Sequence, residues 1–317
     1  MPHCLGIDIG GTNVKAALVS DEGTVAAFLL RAWSGGDPAD AVAAAAGLVE
    51  ELERPGGEAR PNACGVGCAG LVDGARGVVR LSPNLPSWRD VELARLLSEA
   101  LGARTLVEND ANAAAYAEHR AGAARGAGNA AVLTIGTGVG GGLILGGRLY
   151  RGSHGFAGEV GHATIDLDGP ACACGGTGCL ERLVSADAIV ARAAERARGG
   201  SSALAAAARA GALTAKDVGQ AAAGGDAAAL GVMEETGRLL GVGLANLVEI
   251  LDLEVIVIGG GVASAGESLL SPARTEMAAR VAGPPWRLPK VVPALLGETA
   301  GVVGAALLAA HHFRTPA

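Results

Sequence analysis

Three cysteines, Cys172, Cys174 and Cys179, crowd the stretch ACACGGTGCLE, residues 171–181. Three thiols cannot all pair as disulfides within it, and three is one ligand short of a tetrahedral metal site. Upstream, GEVGH places His162 ten residues before Cys172. Three cysteines and a histidine are a standard closed zinc set. The C-x-C-x₄-C spacing is not that of a common zinc finger, but Gly175, Gly176 and Gly178 let the loop wrap an ion. A lone histidine is ordinarily a satisfied or exposed ring; beside three close, reduced thiols the metal reading prevails. Four protein ligands leave no open position, so the expected Zn²⁺ is structural. Glu159 and Glu181 flank the knot. Clamping the segment would fix both carboxylates and shape a polar pocket for a hydroxyl-rich ligand.

Glycine turns supply the second chemistry. In DIGGTNVK, Asp8 to Lys15, a turn at Gly10 and Gly11 exposes backbone N–H groups that can hold phosphate. Thr12 adds a hydroxyl, Lys15 completes the motif, and Asp8 at the strand end suits Mg²⁺, directly or through water. An ordinary hairpin is the alternative; the Walker spacing is missing. TIGTGVGGG repeats the plan, with Thr134 where the first copy has Asp8 and with Thr137 and Gly138 in the turn. Two copies argue for phosphate binding more strongly than either alone. VIGGGVAS is a partial dinucleotide fingerprint, because Ser264 occupies the third glycine position. Its Gly260 and Gly261 suit a turn against an adenine or ribose, or a plain helix entry. In VENDANAAA, Asp110 follows Glu108 and Asn109. Residue preference favours a helix N-cap there; the functional reading is a general base that takes a proton from a hydroxyl.

These groups need elements to position them. LGIDIGGTNVKAALVSDEGTVAAFLLRA reads as three strands broken by GGTN and DEG. Residues 38–53 read as a helix, PNACGVGCAGLVDG as a strand and turn, and WRDVELARLLSEALG as an amphipathic helix ended by Gly102. RTLVEND is a strand, and ANAAAYAEHRAGAA a helix. AVLTIGTGVGGGLILGGRLY repeats the strand–turn–strand plan of the opening. Helices fill the chain from the knot to about residue 250; LEVIVIGGGVASAG is a buried strand and turn, and TAGVVGAALLAAHHF a last helix. Alternating strands and helices predict an α/β protein built of two related halves with a cleft between them.

The chain has 317 residues, half of them hydrophobic, with a formal net charge of −7. An acidic chain argues against nucleic acid as a partner. No apolar run is long enough to span a membrane, and MPHCLGIDIGG lacks a signal-peptide core. The expected location is the cytosol, where Cys4, Cys64 and Cys68 read as reduced core residues.

Taken together, the motifs resemble the ROK family of repressors, uncharacterised reading frames and sugar kinases, over nearly the whole chain. DIGGTNVK and IGTGVGGG resemble its two phosphate motifs, ENDANAAA its catalytic-aspartate segment, and GEVGH with CACGGTGCLE its E-x-G-H and cysteine signature. LSPNLPSWRD resembles the substrate loop of the family's bacterial glucokinases. The resemblance implies an actin-like, ribonuclease H-like fold, with a small lobe of residues 1–112 joined by a C-terminal helix at 301–317. A large lobe of residues 113–300 carries the zinc loop. It implies ATP, Mg²⁺ and structural Zn²⁺, with Asp110 as base and Asn84, Asn109, Glu159, His162 and Glu181 on the sugar. It also implies a homo-oligomer, dimer or tetramer, and His162 doubling as zinc ligand. The family's repressors carry an N-terminal DNA-binding module, for which the chain before Asp8 has no room. The implied activity is phosphorylation of a hexose at its 6-hydroxyl, with glucose first. N-acetylglucosamine, N-acetylmannosamine or fructose, or a non-catalytic sugar sensor, are the alternatives.

Overall fold

The computed structural model describes residues 3–33, 35–52, 61–82, 85–198 and 203–314. The opening runs form β1 (His3–Ile9), β2 (Asn13–Ser20) and β3 (Val25–Ala32), an antiparallel meander. The alanine-rich stretch is α1 (Pro38–Leu52), followed by β4 (Ala63–Cys68). A small antiparallel sheet that the sequence reading did not anticipate follows: β5 (Leu71–Asp73), β6 (Val78–Leu81) and β7 (Arg89–Val91). The helix expected from Trp88 therefore starts later, as α2 (Leu93–Leu101). Asp90 has φ 50, in the left-handed region, which a helix cannot accommodate. Gly102 ends α2 with φ 62 and donates its N–H to the Ser98 carbonyl. β8 (Arg104–Asn109) runs directly into α3 (Asp110–Ala121).

The second half opens with β9 (Ala130–Ile135), β10 (Val139–Leu145) and β11 (Arg148–Tyr150). After the cysteine loop come α4 (Leu180–Val184), α5 (Ala186–Arg196), α6 (Ala203–Arg209), α7 (Ala215–Ala223) and α8 (Ala227–Leu251). β12 (Val255–Gly259), α9 (Glu267–Arg280), β13 (Lys290–Pro293) and α10 (Ala300–Arg314) complete the chain. The first sheet has the order β3-β2-β1-β4-β8 and the second β11-β10-β9-β12-β13. In the first, β4 is parallel to β1 and β8; in the second, β12 is parallel to β9 and β13. Each sheet is thus a three-strand meander extended by two parallel strands. This is the internal repeat that the glycine motifs announced, in an α/β fold.

The chain forms two compact units. The first comprises residues 1–126, 142–158 and 296–317, and the second 127–141 and 159–295. This division departs from the expected boundary near residue 112, because α3 stays with the first unit. A Cβ on Gly304 of α10 would lie 1.7 Å from the Ala113 carbonyl oxygen, so α10 and α3 touch backbone to backbone. α10 also lies against β4, where a Cβ on Gly65 would meet the Ala305 carbonyl at 1.8 Å. One face of the first sheet packs on α1 and α2 through Ile7, Val66, Leu48, Leu97 and Val107. The other packs on α3 and α10 through Ala17, Val19, Val302 and Ala306. In the second unit α8 packs along α9 and α7.

Candidate active site

The first unit gathers one set of groups at the carboxyl ends of its parallel strands, where open α/β sheets bind ligands. Asp8, Gly67 and Glu108 pair in one row across β1, β4 and β8. A Cβ on Gly67 would lie 3.7 Å from Asp8 Oδ1 and 3.6 Å from Asp110 Cα. The glycine therefore leaves Asp8 and Asp110 on either side of a space without a side chain. Lys15 Nζ stands 3.3 Å from Asp8 Oδ2 and donates to the Glu298 carbonyl at 3.2 Å. Burial pushes the Asp8 carboxyl above the ordinary carboxylate range, and the Lys15 ammonium works against that shift. A desolvated carboxylate already facing a cation suits Mg²⁺, which usually binds one or two carboxylates plus substrate phosphates. The turn of Gly10, Gly11 and Thr12 is braced by Trp33, whose Nε1 donates to the Gly10 carbonyl at 2.8 Å.

Asn109, not Asp110, caps α3. Its Oδ1 accepts the Asn112 N–H at 3.0 Å, and its Nδ2 donates to the Gly70 carbonyl at 3.0 Å. Asp110 is the first residue of the helix, and its Oδ1 accepts the Ala111 N–H at 2.9 Å. The expectation of Asp110 as cap is corrected by one position, because the extended backbone of Asn109 (φ −62, ψ 143) is the conformation a cap needs. Glu108 lies buried beneath this turn, with Arg151 Nε 2.6 Å from its Oε2. Asn84 lies outside the described residues; after it, Leu85 and Trp88 are buried, and Trp88 Nε1 donates to the Gly36 carbonyl.

The second unit holds the rest. Cys172 Sγ is 3.7 Å from His162 Nδ1, and Cys174 Sγ is 3.7 Å from Cys179 Sγ. The four donor atoms all lie within 4.8 Å of one another. Zn–S bonds of about 2.3 Å in a tetrahedron give S···S of about 3.8 Å, so the donor set fits zinc in kind and in spacing. Burial and the neighbouring thiols push Cys179 upward, whereas a hydrogen bond from the Gly176 backbone and the neighbouring thiols hold Cys174 below the ordinary thiol range. His162 turns its Nε2 to Glu159, 3.9 Å from Oε2. Burial raises the Glu159 carboxyl, His162 lowers it, and Glu181 raises it again. Glu181, on α4, accepts the Val139 N–H at 2.9 Å. A Cβ on Gly138 would lie 2.6 Å from Glu181 Oε2, so the second glycine turn and this carboxylate are built around each other. Thr137 sits in that turn. Gly260 follows β12 with φ 82 against the backbone of Ile135, and a Cβ on Gly261 would meet open space.

The phosphate, sugar and zinc candidates thus fall into two sets, one in each unit. Trp33 and Arg151 are not marked in the sequence, and Glu108 stands there without a role. Only Glu108 carried a local signal, as the residue before Asn109.

The ROK family profile matches residues 4–312. The chain belongs to the ROK family. A glucokinase of Streptomyces coelicolor is 37% identical over 317 residues, 96% of each chain. One of Thermotoga maritima is 35% identical over 305 residues, 95% of each. The structure of a ROK family glucokinase from Streptomyces griseus, solved with glucose and AMPPNP, superposes with a TM-score of 0.86 at 36% identity. That match spans 98% of this chain and 99% of the other. Among the described residues, no helix of this ROK protein is long and apolar enough to cross a membrane.

Proposed function

We propose that the chain is an ATP-dependent glucokinase that phosphorylates glucose at its 6-hydroxyl. The observation that carries the reading is the turn at residues 108–112: Asn109 caps α3, and Asp110 opens the helix with its Cα 3.6 Å from where a Cβ on Gly67 would lie, next to Asp8. The full-length similarity to curated glucokinases supports it.

In this reading Asp110 accepts the proton of the 6-hydroxyl as the hydroxyl oxygen attacks the γ-phosphorus in line, and the bond from that phosphorus to the β–γ bridging oxygen breaks to release ADP. Catalysis is then mainly positioning and electrostatics. The N–H groups at Gly10 and Gly11, with the Thr12 hydroxyl, hold phosphate. Thr137 and Gly138 supply the second phosphate turn, and Gly260 and Gly261 face the nucleotide. Lys15 adds positive charge. Asp8 would hold Mg²⁺, which when bound neutralises charge on the phosphates. Asn109, Glu159, His162 and Glu181 hydrogen-bond the sugar hydroxyls, with Asn84 as a further contact. Zn²⁺, held by His162, Cys172, Cys174 and Cys179, would stiffen the loop that carries Glu159 and Glu181. A cytosolic location is part of the same reading. A homo-oligomer, dimer or tetramer, rests on the family resemblance alone.

The test is detection of glucose 6-phosphate by a coupled dehydrogenase after incubation with glucose, ATP and Mg²⁺. Product formation that needs all three is expected. ATP binding with no sugar phosphate from any hexose would leave a sensor.

A further inference from the structure

Glu108 and Arg151 have no part in the chemistry above, yet they sit directly behind it. Glu108 is buried, at 3% exposure. Its Oε1 accepts two hydrogen bonds, from the Asn109 backbone N–H at 3.0 Å and from Asn112 Nδ2 at 3.1 Å. Its Oε2 accepts from Arg151 Nε at 2.6 Å. Asn109 and Asn112 bracket Asp110 in sequence. One is the cap of α3, and the other gives the N–H that the cap accepts. Asn112 Oδ1 is buried and has no partner among the described residues, so the contact with Glu108 is what orients that amide. All three groups facing Glu108 are donors, and they converge on both of its oxygens. Only a carboxylate answers such a set; an amide of the same shape would turn an NH₂ toward a donor.

We propose that Glu108 and Arg151 are positioning residues for phosphoryl transfer: the half-buried ion pair fixes the first turn of α3 and thereby aims the Asp110 carboxylate. The inference rests on the kinase reading of Asp110. The arrangement also sets the partners' tasks. Glu108 holds the turn through Oε1 and Arg151 through Oε2. Arg151, on the segment that follows β11 and with its side chain 42% exposed, supplies the charge that keeps a buried carboxylate in place. A misplacement of about 1 Å in such a site costs on the order of 10²-fold in rate. The loss should appear in kcat, because the sugar still binds.

The experiment measures kcat, KM for glucose and Tm for the wild type, Glu108→Gln, Arg151→Met, Arg151→Lys, Asp110→Asn and the Asp110→Asn/Glu108→Gln double variant. Glu108→Gln and Arg151→Met should each lower kcat by about 10²-fold, with KM moving far less. Arg151→Lys should recover most of the rate. The double variant should be no slower than Asp110→Asn alone, because Glu108 acts through Asp110. A full additional loss in the double variant, or wild-type kcat in Arg151→Met, would overturn the proposal. Should Glu108→Gln fail to fold, Arg151→Met and Arg151→Lys decide alone, since Arg151 is the more exposed partner. A wild type inactive on every hexose removes the kinase reading and the positioning role with it. An active wild type with unaffected variants removes the positioning role only.

Discussion

Asp110 is the residue on which the account turns. Asp110→Asn keeps the shape but supplies no basic oxygen, and loss of a general base costs about 10²–10⁴-fold. We expect kcat to collapse by such a factor while glucose affinity, read by calorimetry, falls only modestly; near-normal turnover would reduce Asp110 to a structural residue. Gly138 gives a second test. An added methyl would lie 2.6 Å from Glu181 Oε2, so Gly138→Ala must displace that carboxylate. kcat/KM for glucose should fall well before Tm does, which a thermal melt beside the kinetics checks. Asp110, Glu159, Glu181 and the cysteines stand out in the sequence as candidates because each lies in a short local motif. Trp33 does not, since its bond to Gly10 joins residues 23 apart. Nor does Arg151, which reaches Glu108 across 43 residues.

At the level of elements, the proposed zinc site in the cysteine loop makes a claim that chemistry alone can check. Elemental analysis of protein purified without chelator should find one zinc per chain. Cys174→Ser, or exhaustive chelation, should lower both Tm and glucose affinity, because the same loop carries Glu159 and Glu181. Zinc-free protein with full stability and affinity would contradict the reading. α10 makes a different claim. Gly65→Ala would place a methyl 1.8 Å from the Ala305 carbonyl. Overpacking of this kind costs about 1–3 kcal/mol, so denaturant melts should show a loss of at least that size. The long strands and helices were legible because apolar periodicity and turn residues mark them. The small sheet of β5, β6 and β7 was not, because strands of three or four residues carry too little pattern. The start of α2 was misjudged because nothing local announces that Asp90 adopts a positive φ.

Across the whole molecule, the repeated sheet plan was legible from its two glycine turns, DIGGTNVK and TIGTGVGGG. The limits of the two units were less so. They depend on which element packs on which, and the contact of Gly304 with Ala113 has no local signature. Specificity is also a property of the whole. In the proposed function Asn109, Glu159, His162 and Glu181, with Asn84, read the sugar's hydroxyls one at a time. Leaving such a buried partner unpaired costs about 1–3 kcal/mol per group. An N-acetyl group at C2 needs extra space and an apolar wall, and none of these side chains supplies one. We expect mannose and glucosamine to be weaker substrates than glucose, and N-acetylglucosamine to be poor. The most direct measurement is kcat/KM for glucose, mannose, glucosamine, N-acetylglucosamine and N-acetylmannosamine, side by side at saturating Mg·ATP. The account predicts the highest value for glucose. An N-acetylated sugar that beats glucose by about tenfold, or about 1.4 kcal/mol, would contradict it.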